Sequence, residues 1–111
     1  MIILVLLLSC SIMDAEELYK KTSEFIKDVI KKELPADVNV YLIGSRAKGD
    51  YTHCSDIDLA LDSEKLDRAD LIKLKNIIDD SFVPYHIDMI DLKKTNKDFR
   101  EYAMKGAIKW I

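Results

Sequence analysis

Residues 42–61 read "LIGSRAKGDYTHCSDIDLAL". Two of the three glycines in the chain, Gly44 and Gly49, bracket four residues with a hydroxyl and two basic side chains. Glycine suits a point where backbone turns sharply or approaches a ligand closely, and a strand-to-turn junction can aim several N–H groups into one anion-binding concavity. Ser45 offers a hydroxyl donor and Arg46 a charge to a phosphate oxygen. The stretch is not a P-loop, because the Lys-Ser/Thr ending is absent. Alone it is equally the pattern of an ordinary tight turn.

The acids that follow change its meaning. "DIDLALD" (56–62) alternates, so Asp56, Asp58, Ala60 and Asp62 are expected on one face of a strand and Ile57, Leu59 and Leu61 on the other. Asp56 and Asp58 then leave the same face with Cα atoms roughly 7 Å apart. Such a pair can grip a magnesium ion, which prefers a few carboxylate oxygens, retained waters and substrate phosphates. Alternating acids also occur on plain edge strands. The short spacing to Gly49 favours one combined device, a phosphate cradle and a metal pair across a single loop. Asp88 in "HIDMIDL" is a third candidate, as metal ligand or as the base that takes a proton from an attacking hydroxyl. It joins the pair only if its strand lies beside "DIDLALD".

Outward from this centre, Asp14 and Glu17 have capping-box spacing at the start of a helix. Leu18, Thr22, Phe25, Ile26, Val29 and Ile30 supply its apolar stripe, and Pro35 ends it. "VNVYLIG" is expected as a buried central strand. A helix is expected over 63–79, a strand over 82–92, and a last helix with Thr95 and Asp98 at its cap and Gly106 as terminator. The element order is helix, strand, strand, helix, strand, helix, an α/β (α+β) domain with a small mixed sheet.

Bulk properties narrow the function classes. The 111 residues are 49% hydrophobic and 33% charged, which suits one globular domain and excludes a disordered or fibrous chain. A net charge of −3 with no basic run leaves no footprint for a nucleic-acid polymer. Cys10 and Cys54 form no disulfide framework. The apolar leader "MIILVLLLSCSI" (1–12) is too short to span a bilayer. It lacks the basic segment of a signal peptide, so Met13 is expected as the biological start and the domain as 13–111, with export of a lipidated Cys10 the alternative. A cytoplasmic location without membrane association follows from that expectation.

"GSRAKGDYTHCSDIDLAL" followed by "HIDMIDL" resembles the minimal nucleotidyltransferase (MNT) proteins of the DNA polymerase β-like superfamily. Their pattern is Gly-Ser, a short gap, Asp-x-Asp, and a third acid on a later strand. The resemblance covers the chain from Met13 onward and implies the polymerase β-like nucleotidyltransferase fold. It implies nucleotide-phosphate binding by Gly44 and Ser45 with Arg46 in support, and ligation of magnesium, expected as two ions, by Asp56, Asp58 and Asp88. Lys48 stands where an arginine is common. It further implies the antitoxin half of a HEPN/MNT pair, which moves AMP from ATP onto a tyrosine of a small helical HEPN partner in a hetero-oligomer. Two other readings use the same residues: a binding module that silences its partner by docking, with Ile108, Trp110 and Ile111 as contact, or nucleotidyl transfer to a small molecule such as an aminoglycoside. His53 and His86 lack the spacing of a zinc site.

Overall fold

The computed structural model describes residues 14–111; the expectations for the leader and for Met13 fall outside them. Helix α1 (Ala15–Glu33) begins where the capping spacing places it. Asp14 accepts the Glu17 N–H at 2.7 Å, and Leu34 ends the helix in extended backbone ahead of Pro35. Ile26 and Ile30 are fully buried, whereas the lysines of the other face stay in solvent or at its edge.

Strand β1 (Asn39–Ile43) leads directly into a short helix α2 (Gly44–Lys48), then a loop, then strand β2 (Ile57–Asp62). Helix α3 (Arg68–Asp79) precedes strand β3 (Ile87–Asp91), a 3₁₀ turn (Leu92–Lys94), helix α4 (Lys97–Met104) and a two-residue strand β4 (Ile108–Lys109). The sheet order is β3-β2-β1-β4. β1 pairs antiparallel with β2 and β4, and β2 pairs parallel with β3. The expected mixed sheet and central β1 are therefore present.

The sheet has two unequal faces. On one, α1 and α3 bury Ile26, Ile30, Leu74 and Ile78 against Val40, Leu42, Leu59 and Leu61, the main core. On the other, α4 covers one end of the sheet, where Ile43, Ala60 and Leu92 are buried beneath Ala103 and Met104. The remaining end of that face carries Asp56, Asp58 and Asp88. Ala60 marks the boundary: a small side chain between Asp58 and Asp62 lets a helix approach.

Three boundaries and one added strand differ from the sequence expectations. Helix α3 starts at Arg68 rather than Ser63, because Asp67 and Asp70 form a reciprocal capping box. The Ser63 hydroxyl instead donates to Asp37 at 2.8 Å and accepts the Lys65 N–H in a turn. β3 starts at Ile87 rather than residue 82, because Phe82 and Tyr85 are stacked edge-on against Phe25 and Tyr19 of α1. The α4 cap is Asn96, which accepts the Phe99 N–H at 2.8 Å, rather than Thr95. β4 was not expected. There, Trp110 N–H donates to Val40 O at 2.7 Å, and Trp110 and Ile111 pack, partly buried, on the main core, while Ile108 stays 48% exposed.

Candidate active site

β2 and β3 run parallel with Asp58 beside Asp88. Because alternation puts like faces at paired positions, the two carboxylates leave the same side of the sheet. Asp56 lies two residues ahead of Asp58, at the mouth of β2. Single ligand atoms of Asp56, His86 and Asp88 lie within 4.8 Å of one another, and Asp58 stands beside Asp88 in the strand register. The condition set for Asp88 is thus met geometrically: three carboxylates converge at one end of the sheet.

Their electrostatics are those of crowded acids. The Asp58 carboxyl is pushed above the usual carboxylate range, first by burial, then by the charge and hydrogen bond of Asp88 and by the charge of Asp56. His86 opposes the shift; its Nε2 sits 2.9 Å from Asp88 Oδ1. His86 is the site residue that sequence reasoning passed over. Its signal was the two-residue spacing to Asp88, which turns both side chains to one side of the segment, with His86 just ahead of β3.

Gly44 closes the cluster from the β1 side. Its φ of +74° is a left-handed value that side chains rarely adopt, and a Cβ there would run into the Asp58 carboxylate. The expected tight turn at 44–49 is in fact the helix α2, opened by Gly44 and closed by Gly49 at φ +83°. Ile43 supplies no side-chain cap, so the first-turn N–H groups, including that of Ser45, have no intrahelical partner. They stand next to the acids through the Ile43–Asp58 pairing of β1 and β2.

Arg46 is placed differently from its expected phosphate contact. It is 6% exposed, and its guanidinium sits 4.4, 4.9 and 5.0 Å from the ring centres of Tyr19, Tyr51 and Tyr85. It donates to the carbonyls of Ser55, Thr52 and His53 at 3.1, 3.3 and 3.5 Å. Its fork therefore pins the segment that delivers Asp56, rather than facing the cluster.

The donor set fits a hard divalent cation. Three carboxylates supply oxygen ligands of the kind magnesium prefers, and their mutual repulsion is the cost that a cation between them removes.

Residues 24–109 match the family described as Polymerase beta, Nucleotidyltransferase. A protein from Haemophilus influenzae named probable protein adenylyltransferase MntA is 37% identical over 81 residues, spanning 72% of this chain and 70% of that protein. Three solved structures share the fold. One is an MntA–HpeT toxin–antitoxin mutant (TM-score 0.63, 16% identity, 80% of this chain and 71% of that one). Another is a toxin–antitoxin with AMP-PNP (TM-score 0.66, 20% identity, 80% and 72%). The third is a minimal nucleotidyltransferase (TM-score 0.64, 23% identity, 86% and 95%). The resemblance noted at Gly44-Ser45 and Asp56-x-Asp58 extends through fold and chain, and the protein belongs to the polymerase β nucleotidyltransferase family.

Proposed function

We propose that this enzyme transfers AMP from ATP to a tyrosine hydroxyl of a helical HEPN-type partner, in a magnesium-dependent reaction, and so acts as the antitoxin of a toxin–antitoxin pair. The observation that carries the chemistry is the pairing of Asp58 with Asp88, which gathers three carboxylates beside the opening of α2. The acceptor class rests on the similarity to a protein adenylyltransferase and on the toxin–antitoxin structures that share the fold.

In this reading Ser45 and the first-turn N–H groups of α2 donate to phosphate oxygens, and Asp56, Asp58 and Asp88 would hold magnesium, expected as two ions. Bound magnesium supplies positive charge against the triphosphate and the developing charge of an in-line displacement. The acceptor oxygen forms a bond to the α-phosphorus, the bond from that phosphorus to the bridging oxygen of the β-phosphate breaks, and pyrophosphate leaves. The hydroxyl proton passes to Asp88, which His86 orients through its 2.9 Å contact. Arg46 acts as a positioning residue through the loop carbonyls it binds, not on phosphate. ATP as donor places the reaction in the cytoplasm, and no described helix is long and apolar enough to cross a membrane.

Incubation of the protein with α-labelled ATP, magnesium and a HEPN-type partner should label that partner on tyrosine. Asp58→Asn, or removal of magnesium by EDTA, should abolish the label. An unlabelled partner with the wild-type enzyme overturns the proposal, and an Asp58→Asn protein that still neutralises the toxin in cells shows docking to be sufficient.

A further inference from the structure

A second feature adjoins the acids on the side away from β3. Ile43, Gly44, Lys48, Phe99, Tyr102 and Ala103 line a cleft of about 180 Å³ between α2 and α4. Its walls combine two rings with small and apolar residues. Phe99 and Tyr102 are one helical turn apart and so share a face of α4, yet they remain 46% and 69% exposed. Large aromatics on a helix this amphipathic normally turn inward. Here the inward positions belong to Ala103 and Met104, which seat α4 on Ile43, Ala60 and Leu92. Arg100 adds a contact to Asp62 of β2 at 3.7 Å. The rings therefore stand on an anchored helix and are not needed to hold it.

Lys48 completes the cleft. Its Nζ lies 5.4 Å from the Tyr102 ring centre, so the ring already receives a cation on its face. Gly44 belongs both to the cleft lining and to the wall against Asp58, whose Cγ would be 3.2 Å from a Cβ at Gly44. One end of the cleft is consequently the edge of the acidic cluster. The space suits a flat ring system, with charged substituents leaving past Gly44.

We propose that this cleft is the nucleoside subsite: the base of the nucleotide stacks on Tyr102 and Phe99, and its triphosphate runs past Gly44 to the acids. Lys48 contributes positive charge to the phosphate end. This rests on the nucleotide-transfer reading above and adds to it the residues that hold the base. Stacking against aromatic side chains reads ring area rather than hydrogen-bond pattern, so affinity depends on the rings at 99 and 102 and not on their polar groups.

Calorimetric titration of the full chain, with magnesium present, separates the subsite from the phosphate grip. The probes are a non-hydrolysable ATP analogue and inorganic tripolyphosphate, which has no base. Tyr102→Ala and Phe99→Ala should each weaken the ATP analogue by about 10-fold and leave tripolyphosphate unchanged, while Tyr102→Phe should bind both as wild type does. Circular dichroism checks that each variant is folded, and the exposed Tyr102 position serves where Phe99→Ala does not fold. Unchanged binding of the analogue by Tyr102→Ala overturns the subsite while leaving the phosphate grip intact. Loss of partner capture with unchanged analogue binding also overturns it, and makes this face of α4 a protein contact. If the wild type binds neither probe, the nucleotide reading itself fails.

Discussion

Asp58 and Asp88 are neighbours across a parallel strand pair, thirty positions apart in the chain. Burial and the neighbouring acids hold the Asp58 carboxyl above the usual carboxylate range. The pair is therefore strained as a structural element and useful as a ligand set, and its behaviour with pH follows from that conflict.

The raised Asp58 value sets a direction for stability. A carboxyl whose value is higher in the folded state binds more protons folded than unfolded through the window between the two values, so folding is weakened as pH rises through it. Metal-free protein should accordingly lose stability from the ordinary carboxylate range upward to the raised Asp58 value, then level off. Asp58→Asn should flatten that slope, and magnesium should oppose it. Urea midpoints measured across acidic pH, with EDTA or with magnesium, test this. A wild-type slope that persists in Asp58→Asn assigns it to other groups.

Gly44→Ala should do two kinds of damage. The positive φ at Gly44 costs a non-glycine residue on the order of 1–3 kcal/mol, and the new methyl displaces the Asp58 carboxylate. Thermal unfolding should show the first effect. The second should appear as loss of the Tm increase that magnesium produces in wild type, with AMP transfer reduced by roughly 10–100-fold, the range for disturbing a metal's outer partners.

Arg46→Lys should not behave as a conservative change. Lysine keeps the charge but cannot span three loop carbonyls and three rings with a planar fork. A loss of about 2–3 kcal/mol, the scale of one hydrogen bond to a buried charged group, is expected in denaturant unfolding. Tripolyphosphate affinity should be nearly unchanged at temperatures where the variant is folded. A selective loss of phosphate affinity at full stability would return Arg46 to the phosphate role.

Asp91 provides the contrast to Asp88. It is 6% exposed, caps the 3₁₀ turn, and pairs with Lys93 at 2.8 Å, while Lys93 also donates to the Leu66 carbonyl. Lys93→Met leaves a buried acid without its cation and should cost about 3 kcal/mol. Because the pair faces away from the cluster, single-turnover AMP transfer by folded protein should be close to wild type.

Local spacing was enough to read α1 with its Asp14 cap, the alternation of β2, and Gly44-Ser45 with Asp56-x-Asp58 as one device. Those features are short-range: an Asp accepting an N–H three residues on, or two carboxylates two apart on a strand, needs nothing beyond its own segment. They also carried the family resemblance. Segment ends were read less well, because competing local partners decided them. Ser63 turned to Asp37, Asn96 capped ahead of Thr95, and the rings of Phe82 and Tyr85 held their segment against α1 instead of letting it extend β3.

Only the tertiary structure decided whether the site closes. Nothing near Asp88 in the chain states which strand lies beside it; a parallel pairing is set by how α3 crosses the sheet and buries Leu74 and Ile78 in the main core. The same packing decided the fate of Arg46, whose composition suits phosphate and loop carbonyls equally. Tyr19, Tyr51 and Tyr85 arrive from three separate segments to cage it. It also decided the exposure of Phe99 and Tyr102, since an apolar stripe shows that one side of a helix will be buried but not which of its rings the sheet has room to cover.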